Sequence, residues 1–197
     1  KYDGKKYSLA TKNNVYLNDE DVTGSYNVAT YADAAKGITK AYDATAISNN
    51  DSSKISRLDI ASFAVGQVTS VGSDYINVSF KKGDNTIATK SKLESDDWDW
   101  YDGVKKNDYV VLTAAGNYGT NHGLVEKATV VTGKVNGTKS DDGVAIDGEW
   151  YTMAGKKGNM VTRPNTGANV EMVVVNGYVY YTDTTAGSID DIALLVE

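Results

Sequence analysis

The sequence predicts an all-β protein of tandem small barrel-like modules, mainly strand with one or two short helices. Three observations lead there. Apolar residues alternate at period two along much of the chain, turn-forming pairs punctuate the alternating runs, and one strand-start motif returns at a fixed spacing.

Taken in order, residues 1–10 carry no apolar core of the kind a secretion signal has, so any such signal is removed or lies upstream. The best helix candidate is 30–37. Thr30 can cap its start, Asp33 can bond back, and Gly37 can end it. At two turns it would need a sheet to dock on. Residues 63–71 and 75–80 then read as strands; Ile76, Val78 and Phe80 share one side while Asn77 and Ser79 take the other. Turn residues follow at 82–85, and a second short helical turn is expected over 95–101. Further strands are expected at 109–113, 124–131, 170–175, 178–182 and 189–196, rich in β-branched and aromatic residues. Asp141-Asp142-Gly143 and Asp147-Gly148 mark turns. Asn176-Gly177 is the strongest hairpin signal, because both residues tolerate the positive φ of a type I′ turn.

Repetition organises these elements. Gly66-Gln67-Val68 returns as Gly133-Lys134-Val135, 67 residues later, each after an apolar run. Ile76-Asn77-Val78 matches Val144-Ala145-Ile146, and residues 3–10 resemble 147–154. The expected modules are 1–65, 66–132 and 133–197, the first starting part-way into the repeat and holding the helix as an insertion. A period this long exceeds a solenoid rung and suits a small closed or half-closed barrel.

Composition removes whole classes of function. With 20 Lys and Arg against 26 Asp and Glu the net charge is −6, and no basic stripe exists to meet phosphates, which argues against nucleic acid. The chain has no cysteine, hence no disulfide frame or thiolate metal site. No apolar run is long enough for a membrane helix. A cysteine-free, acidic, Asn- and Thr-rich chain suits an exported bacterial protein.

Catalytic constellations are sparse. The single histidine, His122, sits among turn residues 119–123, which suggests a solvated loop rather than a buried relay. Glu94, Asp96, Asp97, Asp99 and Asp102 interleave with Trp98, Trp100 and Tyr101; such a mix could supply a glycosidase pair, but the expectation is a turn whose indoles plug a barrel end while the acids stay hydrated. Calcium needs oxygen ligands at alternating positions, and 97–103 has three acids and a glycine at the wrong spacing. No cofactor or metal is expected. The one candidate ligand platform is Trp98, Trp100 and Tyr101 with Asp97 and Asp99, which could stack on a sugar ring or hold a peptide.

Residues 66–80, 105–117 and 122–135 together resemble the β-repeat regions of large Firmicutes surface proteins that carry S-layer homology domains. The shared features are a Gly-x-Val strand start, an Asp-Gly turn before Tyr, and an apolar module end. Such repeats often carry an acidic turn before their last strand; here residues 49–54 depart from it, and the anchoring homology domains themselves are not visible. The resemblance implies an extracellular, wall-associated structural or adhesive segment whose partners are other modules of the same protein and cell-wall or host glycans.

Overall fold

A computed structural model describes residues 8–23, 41–48, 54–83, 87–88, 90–115, 121–140, 142–155 and 161–185. Every regular element among them is a strand, so the fold is all-β. The chain forms two compact units, Lys1–Thr129 and Val130–Glu197.

The first unit holds β1 (Ser8–Leu17), β2 (Glu20–Asp21), β3 (Ala41–Ser48), β4 (Lys54–Val71), β5 (Tyr75–Gly83), β6 (Lys92–Glu94), β7 (Trp98–Trp100), β8 (Tyr109–Ala114) and β9 (Gly123–Lys127) in one nine-stranded sheet. β4 is its spine. The first half of β4 pairs in parallel with β1 and antiparallel with β3; the second half pairs antiparallel with β5 and β8. The hand-over is abrupt. Phe63 faces Ala41 of β3 and Thr113 of β8, and the next residue, Ala64, faces Gly83 of β5 and Leu112 of β8.

Between the last β1 pair, at Ile60, and the first β8 pair, at Phe63, that edge of β4 is served by Asn18. The Asn18 amide donates to the Ile60 carbonyl (2.8 Å), and its side-chain oxygen accepts from the Ser62 amide (2.7 Å). Asn18 and Asp19 hold positive φ in the β1–β2 turn, a conformation that Asn and Asp tolerate better than most residues. Backbone groups that would otherwise be buried without partners are therefore satisfied through the junction.

The second unit is a closed five-stranded barrel of β10 (Thr129–Lys139), β11 (Gly143–Ile146), β12 (Glu149–Met153), β13 (Asn169–Val175) and β14 (Tyr178–Thr184), in the order β10-β11-β12-β14-β13. β12 and β14 run parallel, whereas the pairs β10–β11, β11–β12 and β13–β14 are antiparallel. Reciprocal bonds of Val135 with Ala168 (2.9 Å) and Gly167 (2.8 Å) tie β10 to the segment entering β13. Asp147-Gly148 and Asn176-Gly177 both have the two successive positive φ values that a two-residue hairpin requires. Val135, Val144, Ile146, Met153, Val170, Met172 and Val179 fill the interior. Closure leaves no open sheet edge along this ring.

The path from the second half of β4 to β9 repeats the barrel's pattern in detail. Val68 exchanges bonds with Asp108 and Asn107 (both 2.8 Å) as Val135 does with Ala168 and Gly167. Asn107 and Gly167 both have positive φ. A register shift falls between Val68 and Ser70 against β5, and an equivalent one between Val135 and Gly137 against β11. β7 pairs in parallel with β9, as β12 does with β14. Ala64, Val68, Ile76, Val78, Leu93, Trp98, Val110, Leu112 and Val125 form the corresponding core. Fully burying each Val, Leu or Ile side chain among them contributes roughly 1.5–3 kcal/mol.

Several expectations meet the structure differently. Residues 95–101 form a turn at 95–97 and then β7, not a helix; pairing with β9 satisfies the backbone there. The run 124–131 is two strands broken at Ala128, whose amide bonds to the Tyr109 carbonyl (2.9 Å). Residue pair 65/66, a module boundary in the sequence reading, is interior to β4, while the boundary expected at 132/133 lies three residues from the division between units. The helix expected at 30–37, the strand at 189–196 and most of 49–54 lie outside the described residues.

Candidate functional site

The aromatic–acidic cluster sits on β7 and the turns flanking it. Alternation along three residues decides its geometry: Trp98 points into the core at 2% exposure, Asp99 points to solvent, and Trp100 is half-buried against the same core. Gly123, opposite Trp98 in the parallel pair, makes the room. A Cβ there would lie 2.8 Å from Trp98 Cζ3 and against the Thr113 carbonyl. Trp98 is a plug.

Tyr101 packs on the same core and turns its hydroxyl to Asp108, donating to Oδ2 at 2.7 Å. The Lys105 amide donates to that oxygen (3.1 Å), and Lys127 Nζ stands 3.8 Å from Oδ1. Asp108 is 8% exposed. Burial pushes its carboxyl up, but the hydroxyl, the amide and the two lysines outweigh this and hold it below the ordinary carboxylate value. Burial, then the Asp108 bond and charge, raise the Tyr101 phenol well above its ordinary value. The group is a satisfied polar clamp on the turn before β8, not a proton-transfer pair.

The remaining acids do not converge. Asp97 Oδ1 faces His122 Nε2 at 3.0 Å, so the histidine expected to be solvated has a carboxylate partner, with both side chains about two-fifths exposed. Glu94 pairs with Lys92 (2.7 Å), whose ammonium also lies over the Tyr75 ring. That hydrogen bond and charge lower the Glu94 carboxyl. Asp96, Asp99 and Asp102 are exposed. Among the described residues no group of three or more His, Cys, Asp or Glu side chains could hold a metal ion. Glu94 is exposed too and Asp97 is only half-buried, so none of these acids has the deep burial that a glycosidase acid requires.

Two features escape a reading of the sequence by clusters. Asp108 and Lys127 are far apart in the chain, and only the β8–β9 pairing joins them. Trp150 lies on the outside of the barrel at 47% exposure, with Gly137 beneath the indole and Lys139 Nζ 4.4 Å from a ring centroid. Alternation with the buried Met153 carried that signal, since residues an odd number apart in a strand face opposite ways.

No family model, curated protein or solved structure matches the chain.

Proposed function

We infer that this chain is a non-catalytic structural segment of a bacterial cell-surface protein, in which three copies of one β module, 1–65, 66–132 and 133–197, act as a stiff spacer. The observation that supports it is β4. One strand of 18 residues serves as the closing strand of the first copy and the opening strand of the second, with no linker between. At about 3.3 Å per residue it spans roughly 60 Å. A hinge needs a few residues free to change φ and ψ, and backbone hydrogen bonds through Asn18, β3, β5 and β8 deny that freedom. Location at the cell surface and contact with sister modules or wall glycans follow from the resemblance of residues 66–135 to surface-protein repeats. A glycan platform at β7 is disfavoured, because Trp98 has no exposed face to offer.

Small-angle scattering of the chain in solution tests the spacer. A profile fitted by one rigid particle across salt and temperature is the expected result. A profile that requires freely hinged bodies overturns it.

A further inference from the structure

The outer wall of the barrel carries a large aromatic side chain laid along it. Val144 and Ile146 of β11 fill the core, so Gly143 and Ala145 point outward. Their cross-strand partners continue that face. Ala145 lies between Gly137 of β10 and Trp150 of β12, and Gly143 lies between Lys139 and Thr152. Trp150 spans the first of these rows. A Cβ on Gly137 would stand 3.4 Å from the indole Cη2, and Ala145, on the strand between, is only 3% exposed. Lys139 spans the second row. A Cβ on Gly143 would lie against its Cγ and Cε, and its Nζ reaches to 4.4 Å from an indole ring centroid. Gly137 and Gly143 thus seat a ring and a lysine stem, and the indole keeps about half its surface exposed.

The corresponding face of the first unit supplies a comparison. Asn77 and Lys92 occupy the places of Ala145 and Trp150, and Tyr75 and Glu94 those of Gly143 and Thr152. The aromatic and the lysine sit at different positions, yet they meet again. Tyr75 lies over Gly72, and Lys92 Nζ stands 4.7 Å from its ring centroid. There Glu94 takes the lysine in an ion pair of 2.7 Å. In the barrel a threonine holds that position, so Lys139 has a hydroxyl, not a carboxylate, across Gly143.

We propose that Trp150, Lys139 and Thr152 form a binding site for a pyranose ring, bordered by Tyr178, which is half-exposed and opposite Thr152 on β14. The slightly positive C–H face of the sugar lies on the negative π face of the indole, and the ammonium and the threonine hydroxyl donate to sugar oxygens. Other ligands fit less well. Two half-exposed aromatics offer about 200 Å², against about 800 Å² per partner in a stable protein interface. The ring of strands is closed, so a peptide finds no edge to extend. Lys139 repels a cationic ligand, and a net charge of −6 opposes a polyanion. An indole already held against glycine loses little freedom on binding. The inference deepens the glycan contact of the proposed function and rests on it for its setting alone. Stiffness is decided by scattering, so either reading can fail without the other.

The test is calorimetric titration of the full chain with cellotetraose, maltotetraose and the β-1,4-linked N-acetylglucosamine tetramer, with a thymidine oligonucleotide as the nucleobase control. Saturable binding of at least one tetrasaccharide, at one site per chain, is expected. Trp150→Ala and Thr152→Glu should each weaken it about tenfold or more, and Trp150→Tyr should hold it within about threefold. Because positions 150 and 152 point outward, these variants should keep the native amide exchange of Val144, Met153 and Val179. No saturation by any tetrasaccharide up to about 10 mM overturns the proposal. So does undiminished binding in Trp150→Ala or Thr152→Glu, or a loss in Trp150→Tyr as large as that in Trp150→Ala. Tighter binding of the oligonucleotide than of any sugar overturns it as well, and would make a nucleobase the occupant.

Discussion

Gly123 and Gly177 are both glycine for different reasons, and the difference is measurable. Gly123 has ordinary φ but faces the Thr113 carbonyl and the Trp98 indole, so a methyl group there must push backbone or the buried ring. Gly177 has nothing within 4 Å but holds φ at +81°. Gly177→Ala should cost about 1–2 kcal/mol from the left-handed conformation alone, and Gly123→Ala about 1–3 kcal/mol from overpacking. Urea unfolding checks both; a relaxed Trp98 environment in fluorescence should accompany only Gly123→Ala. Asp108 supplies a second residue-scale prediction. Its carboxyl titrates lower in the folded chain than in the unfolded one, so its contribution is present above the ordinary carboxylate pKa and fades as pH falls through the lower folded value. Asp108→Asn should lose about 1–3 kcal/mol at neutral pH, and the gap to the parent should narrow between about pH 5 and about pH 2. A gap that widens on acidification contradicts the clamp. The sequence displayed Trp98 and its neighbouring acids as a cluster, but which of them face inward depends on the phase of a three-residue strand, and a helical turn fitted the same letters. Asp108 was invisible as a site because its partners Tyr101 and Lys127 converge only through tertiary pairing.

At the level of elements, most strands were legible because one buried face imposes period two, and Asn176-Gly177 announced its hairpin through the φ values it later adopts. What could not be read was strand length. Val65 and Gly66 looked like the end of one unit and the start of another, since the Gly-x-Val motif begins there; in the structure they are mid-strand. Glycine at 66 serves packing rather than a break, as a Cβ there would strike the Val78 side chain. The repeated register shifts after Val68 and Val135 have the same origin. Each bends its strand over the core, and Ser70 and Gly137 take equivalent places beyond the shift. Ala128 separates β9 from β10 where β4 has no interruption, a contrast that residue type alone did not signal.

At the scale of the molecule, Val68 and Val135, each two residues after the glycine of the motif shared by Gly66 and Gly133, make matching backbone hydrogen bonds. The spacer account adds that successive copies share strands rather than being strung on linkers, and β4 is where that claim is most exposed. Amide hydrogen exchange along residues 60–68, measured on the intact chain, tests it most directly. Continuous slow exchange through Phe63, Ala64, Val65 and Gly66, with protection close to that of Val68, is the expected result. A fast-exchanging break at 64–66 flanked by protected segments would mean that two separate strands meet there, and the shared-strand account would fail.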